Sequence, residues 1–310
     1  MSAPGPGPGP AAPDPGPAAP GPHPSAPAAG FSLGPLLQTL GDPAAPPGEL
    51  TDAHLTIISR LTGEGGKAFT ADIRKHFPQL CKVFKVSNIL SALETILTKG
   101  EVQSVVVEYE ALNVIIRLME QTPAQMGEEA VRWAKLIIPL VVHSAHKVQL
   151  RGATALEMGM PLLLQKQQEV AAVTEHLMTT KLISELQKLF SAKNETFVLK
   201  LWPLFVRLLG KTLHRSGSFI NSLLQLEELG FRSSSPVVKK IAFIAWKSLI
   251  DNFALNPDIL CSAKRLKLLM QPLSSIHVRT EALALTKLEV WWYLLMRLGP
   301  HLPSNFEQVW

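Results

Sequence analysis

The chain has 310 residues, 46% of them hydrophobic, with only two tyrosines, two cysteines and a formal net charge of +5. Cys81 and Cys261 lie too far apart in sequence to suggest a disulfide framework or a thiolate metal cluster, and so sparse a usage suits a reducing compartment. No apolar run approaches the roughly 18 residues that span a bilayer, and the first residues lack the charged and apolar regions of a secretory signal.

Residues 1–30 are almost wholly Pro, Ala and Gly, and hold eleven of the 25 prolines without a Gly-x-y period. Such a segment buries too little apolar area to offset its ordering entropy, and it reads as a disordered, partly polyproline tail. A ligand for SH3-like domains is the other reading, but no cation flanks the prolines. The helical pattern begins at Phe31–Leu40. A loop follows at Gly41–Gly48, and Thr51 or Asp52 is the expected cap of a helix reaching Leu61. Gly63-Glu64-Gly65-Gly66 breaks the chain before a second amphipathic helix from Phe69 to Phe84, bent or interrupted at Pro78.

Apolar periodicity then places helix pairs at 87–99 with 104–120, 125–144 with 147–164, 167–191 with 195–214, 217–229 with 236–253, and 256–271 with 276–298. The punctuation agrees: Gly100, Thr122-Pro123, Gly230 and Gln271-Pro272 fall between helices, and Ser235-Pro236 and Asn256-Pro257 resemble helix starts. Pro203 falls inside a helical run and is expected to kink it.

A short signature recurs in this half. Val238-Lys239-Lys240-Ile241-Ala242 and Val278-Arg279-Thr280-Glu281-Ala282 share a β-branched residue, a cation, two spacers and an alanine, 40 residues apart. Weaker echoes start at Leu199-Lys200 and Leu150-Arg151. A period near 40 with two helices per unit is the HEAT/armadillo spacing. The expected fold is therefore all-α: a tail over 1–30, then an α-solenoid of about five to six helix pairs over 31–310. Asn305–Trp310 reads as the start of one more helix, so the array is expected to be truncated at its C-terminal end. A solenoid unit cannot bury its apolar face alone, and the stack exposes one long surface, so binding is the expected mode of action.

No Gly-x-Ser-x-Gly elbow, phosphate loop or His-Glu-x-x-His motif is present, and neither catalysis nor a cofactor is expected. His143 and His146 have metal-ligand spacing but no third ligand nearby in sequence. Lys240-Ile241-Ala242-Phe243 fits a phosphatase-docking pattern. It falls inside a helix, where Ile241, Ala242 and Ala245 should be buried, so the match reads as chance. Trp133, Trp202, Trp246, Trp291 and Trp292 sit in apolar stretches and read as core.

The charge is uneven. Residues 1–190 hold 15 Lys/Arg against 17 Asp/Glu, and residues 191–310 hold 15 against 8. A basic half suits an anionic partner, and it equally suits solubility. The candidate anion-binding residues are Lys239 and Lys240, then Lys264, Arg265 and Lys267, with Lys193, Lys211 and Arg215 as a second group. Stacked units would bring such positions into rows able to grip phosphates, or the same cations line a solvated face. The Arg or Lys of the signature itself, Arg151 and Arg279 above all, reads as structural.

Several long strings carry a resemblance. MGEEAVRWAKLIIPLVVHSA (126–145), LRGATALEMGMPLLLQKQQE (150–169), LHRSGSFINSLLQLEELGFRS (213–233), KKIAFIAWKSLIDNFALNPDIL (239–260) and SAKRLKLLMQPLSSIHVRTEALALTKLEVWWYLLMRLGPHLP (262–303) closely resemble the N-terminal helical-repeat region of the Rif family, in its vertebrate form. LTGEGGK (61–67) resembles the family's start. The family carries further repeats between the parts matching Lys85 and Val86, and long segments after the early array, including those that bind DNA and recruit phosphatase. The resemblance implies a nuclear chromatin scaffold at telomeres, in double-strand break repair and in replication timing. It also implies recruitment by a phosphorylated repair scaffold protein, with DNA contact possible. The rival readings are a protein-only adaptor for acidic or apolar peptides, and a shortened form without function and of marginal solubility.

Overall fold

The computed structural model describes residues 32–62, 85–98, 104–215 and 217–310, together with Gly5 and the short stretches 73–76 and 78–79. The expected tail, the glycine break at 63–66 and most of the helix expected over 69–84 lie outside the described residues. The chain divides into two units, 1–83 and 84–310.

In the first unit, α1 (Leu33–Gly41) packs on α2 (Pro47–Thr62) through buried Leu33, Leu37, Ala53 and Ile57. The Ser32 side chain caps α1 by accepting from the Gly34 N–H. Helix α2 begins at Pro47, earlier than expected, so Thr51 and Asp52 lie inside it. Proline's fixed φ suits the first helical position, where its missing N–H costs nothing.

The second unit contains the five expected pairs. They are α3 (Val86–Thr98) with α4 (Val105–Gln121) and α6 (Ala130–Ile137) with α7 (His146–Leu163). Next come α8 (Gln167–Leu177) and α9 (Ile183–Ser191), joined by a π turn at Met178–Leu182 and paired with α10 (Glu195–Leu209). Then come α11 (Ser218–Arg232) with α12 (Pro236–Phe253), and α14 (Ala263–Ser275) with α15 (Glu281–Leu298). Short α5 (Pro123–Glu128) precedes α6, short α13 (Pro257–Leu260) precedes α14, and α16 (Leu302–Val309) packs on α14.

The second helices of the pairs stack in the order α4, α7, α10, α12, α15 and form one layer. In the other layer α3 meets α6, α6 meets α8, and α9 meets α11. Helix α14 packs on α12 and α16 instead, which leaves the space between α11 and α14 open. The architecture is an α-solenoid of stacked helix pairs.

Hydrogen bonds repeat the period. Arg132 to Glu94, Arg151 to Asn113 and Lys166 to the Glu128 carbonyl each span 38 residues, and Arg215 to Glu175 spans 40. Tyr293 to Asp251 spans 42. The Arg132, Arg151 and Tyr293 bonds tie one pair to the next, while Lys166 and Arg215 each reach back across the pair they follow, to its first helical segment. Arg132 is the densest tie. It makes two bonds to Glu94, one to each of the Ser87 and Ser91 hydroxyls, and an ion pair with Glu129. Its hydrogen bonds hold the Glu94 carboxyl below its ordinary range.

Trp133, Trp202 and Trp246 are buried, each with its indole N–H on a backbone carbonyl, and Trp202 stacks on Trp246 at 6.2 Å between centroids. Trp291 is half-buried and bonds to the Val309 carbonyl. Trp292 departs from expectation at 58% exposed, because its face of α15 meets no further helix among the described residues. Ala242, Phe243 and Ala245 are buried in α12, whereas Ile241 is half-buried. Pro203 lies within α10, which continues past it to Leu209. The segment expected as one helix over 125–144 is broken at Glu129 and tightens into a 3₁₀ turn from Ile138 to Val142. Helix α15 starts at Glu281 and not 276, because the Thr280 hydroxyl caps it by accepting from the Leu283 N–H. No described helix is long and apolar enough to cross a membrane.

Candidate anion-binding site

Successive helices of a solenoid alternate in direction, and this divides the candidate cations between two edges. Asn252, near the end of α12, donates to the carbonyls of Val206 and Gly210 at the end of α10, so these two helices run the same way. Asp251 of α12 likewise meets Tyr293 and Arg297 in the latter half of α15. Helix α14 runs the opposite way. Arg265 at its start lies 5.0 Å from the ring of Phe253 at the end of α12, while Lys239 at the start of α12 shares a pocket with Ser275 at the end of α14. Lys239 and Lys240 therefore sit at one end of α12 and Lys264 and Arg265 at the other. An 18-residue helix separates them by about 27 Å.

The edge at the end of α12 commits part of its charge to structure. Arg265 donates to the His214 carbonyl at 2.9 Å and lies over the Phe253 ring. Arg215 pairs with Glu175 at 3.1 Å. Lys211 and Lys264 are exposed. Lys267 is exposed beside a cleft between α14 and α16, next to Met270 and Gln308. Lys193 is exposed just before α10, on the edge where α12 begins, with a left-handed φ of 66°. Arg151 donates to Asn113 and serves the packing of α7 on α4.

The edge at the start of α12 holds a pocket where four helix ends meet. Helix α11 ends there at Arg232, α12 starts behind Ser235 and α15 starts behind Thr280, and the end of α14 at Ser275 is the fourth helix end at the pocket. The cationic lining is Lys239, Arg279 and Arg232, with His277 beside them. Ser233, Ser234, Ser275 and Thr280 add hydroxyls, and Phe231, Ile276 and Leu283 form the apolar part of the wall. Arg232 pairs with Glu228, the only carboxylate partner among these cations in the described residues. Lys239 and Arg279 have no ion-pair partner there. Lys240 is exposed just outside the lining.

The amino-terminal ends of two 18-residue helices border this pocket. Each brings the positive end of a helix dipole, which favours an anion, although the Ser235 and Thr280 hydroxyls already cap the Val238 and Leu283 N–H groups. With Lys239, Arg279 and His277 beside them, the arrangement can hold a phosphate by charge-assisted hydrogen bonds. Arg232 and His277 were not singled out from sequence. The available signal was their place at helix ends flanking the Ser-Pro start of α12 and the Thr cap of α15.

Elsewhere, His143 pairs with Glu108 at 3.0 Å and His146 approaches Gln149 at 3.3 Å, so each imidazole has its own partner. Among the described residues no three His, Cys, Asp or Glu side chains gather as a metal site would require.

Fold and site together define an α-solenoid that presents a basic edge pocket. The family model for the N-terminal region of Rap1-interacting factor 1 matches residues 83–310, and the chain belongs to that family. It is 68% identical to the telomere-associated protein RIF1 of Gallus gallus, over 91% of this chain and 15% of that protein. It is 62% identical to its Homo sapiens namesake, over 89% of this chain and 14% of the relative. The Drosophila melanogaster protein of the same name is 34% identical over 56% of the chain and 12% of its own length. The chain thus spans about 15% of the relatives it matches most fully. The match to the Gallus gallus protein runs over 358 positions, more than the 310 residues of the chain, so that relative carries internal residues without a counterpart here. No solved structure matches the chain.

Proposed function

We propose that this chain is a non-enzymatic docking scaffold of nuclear chromatin. It acts in telomere maintenance, in the choice of end joining at double-strand breaks and in replication timing. Its partner is a phosphorylated repair scaffold protein, held at the edge pocket of α11, α12, α14 and α15. The observation that carries this reading is the convergence of Lys239, Arg279 and His277 with the amino-terminal ends of α12 and α15 around one pocket. A phosphoserine brings a charge near −2 and three acceptor oxygens, a good match to that donor set. The relatives' shared name, telomere-associated protein RIF1, supports the chromosomal setting.

The test is fluorescence anisotropy with an acidic phosphoserine peptide, its unphosphorylated twin and a short DNA duplex. Paired Lys239→Glu and Arg279→Glu substitutions are expected to weaken phosphopeptide binding at least about tenfold, since charge-assisted bonds contribute about 1.5–3 kcal/mol each. Lys264→Glu, at the other edge, is expected to leave it within about twofold by the same reasoning. Equal binding of both peptides would sink the phosphate reading. Tight duplex binding, lost on Lys211→Glu with Lys264→Glu, would move the function to nucleic acid on the opposite edge.

A further inference from the structure

A serine that precedes proline lies in sequence between two residues of the pocket lining. Ser233-Ser234-Ser235-Pro236 links α11 to α12, and of the three serines only Ser235 precedes proline. Its backbone is extended, with φ −78° and ψ 122°, as a residue before proline prefers. Ser234, Pro236 and Val237 around it are exposed, Val237 at 63%. The Ser235 hydroxyl accepts a long 3.4 Å bond from the Val238 N–H. Both neighbours in sequence, Ser234 and Pro236, line the pocket that holds Lys239 and Arg279.

Resting on the docking reading above, we propose that Ser235 is a phosphorylation site for a proline-directed kinase, and that its phosphate fills the pocket from within and excludes a phosphorylated partner. The kinase transfers the γ-phosphoryl group of a nucleoside triphosphate to the Ser235 oxygen. The bond to the diphosphate breaks, the new O–P bond forms, and the hydroxyl proton is released. The product keeps its role at the start of α12, because phosphate oxygens replace the hydroxyl as acceptor for the Val238 N–H and add charge where the helix end favours it. Lys239 lies one helical turn on, and it lines the same pocket as Arg279, Ser234 and Pro236. The same modification elsewhere on the surface would add charge without an occupant. At this position it supplies the ligand that the pocket is built to hold.

The experiment treats the 310-residue chain with a proline-directed serine/threonine kinase and ATP, and maps the product by mass spectrometry. Ser235→Asn is the control, since asparagine caps a helix as well as serine and accepts no phosphate. Phosphorylation at Ser235 is expected to weaken phosphopeptide binding at least tenfold and to raise the melting temperature. The rise should vanish when Lys239 and Arg279 are both changed to glutamine. If neither form binds phosphopeptide, the docking reading fails, yet the melting shift and its loss in the double variant still show the phosphate seated in the pocket. No phosphate on Ser235, a melting temperature indifferent to Lys239 and Arg279, or unchanged affinity for a phosphopeptide that does bind would overturn the proposal.

Discussion

Glu227 is fully enclosed on the inner face of α11, and its two carboxyl oxygens have no hydrogen-bond partner. Burial pushes its pKa well above the ordinary carboxylate value, so the side chain is neutral in the fold over a range where it is ionised in the unfolded chain. The sign follows from that difference. The group does not oppose folding below the unfolded value of about 4.5, and it opposes folding increasingly as the pH rises from there toward the folded value. Glu227→Gln keeps the shape of the neutral acid and removes the titration. It is expected to melt higher than the parent at pH 8, by about 2–4 °C for each kcal/mol recovered in a chain of this size, with the gap closing toward pH 4.5. Circular dichroism melts at several pH values decide it, and parallel curves for the two proteins would show that Glu227 is not the titrating group. Gly159 is constrained by packing instead. A Cβ there would lie 2.6 Å from the Trp133 ring, so Gly159→Ala is expected to cost about 1–3 kcal/mol in urea unfolding, as overpacked cores do.

At the scale of elements, the end of α10 shows how neighbouring units are coupled. The Gln167 amide donates to the carbonyls of Arg207 and Leu208 from one side, and the Asn252 amide donates to those of Val206 and Gly210 from the other. Carbonyls left over at a helix end are thus paired by side chains of its own pair and of the pair that follows. Asn252→Ala strips the buried Val206 and Gly210 carbonyls of this donor and is expected to cost about 1–3 kcal/mol, read as a lower urea midpoint at unchanged slope. Asn252→Asp places a carboxylate against the same carbonyls and should cost more.

The five pairs were legible in the sequence because Thr122-Pro123, Ser235-Pro236 and Asn256-Pro257 mark helix starts and because the apolar period belongs to each helix alone, whereas Gly230 and Gln271-Pro272, expected between helices, lie inside α11 and α14. The starts of α2 and α15 were less legible: Pro47 begins α2 ahead of Thr51 and Asp52, which offered cap signals of their own, and the Thr280 cap sets α15 five residues after the expected 276. The basic row was misjudged for a topological reason. Lys239 and Lys264 occupy similar places near the starts of successive helices, but those helices run in opposite directions, so equal position along the helix means opposite edges. The pocket's own members, Arg232, Lys239, His277 and Arg279, come from three separate segments that only the fold unites.

At the scale of the whole second unit, a stack of pairs buries each helix against its neighbours, and α15 carries an uncovered face of the same kind among the described residues. Leu285, Leu288, Trp292 and Met296 lie on one side of α15 and are each more than half exposed, from 53% to 61%. Their spacing of three, four and four residues is that of a helical stripe, and inside the stack such a stripe would be core. Exposed apolar area of this form drives association between molecules without contributing to the fold of one. Replacing Leu288 with lysine and Trp292 with glutamate is therefore expected to raise solubility and reduce concentration-dependent light scattering, with stability within about 0.5 kcal/mol of the parent, as for other surface changes. A clear loss of stability would instead show that these side chains support the packing of α15. Unchanged scattering would mean that self-association runs through another face, of which Val237 beside the basic pocket is the next exposed apolar residue to test.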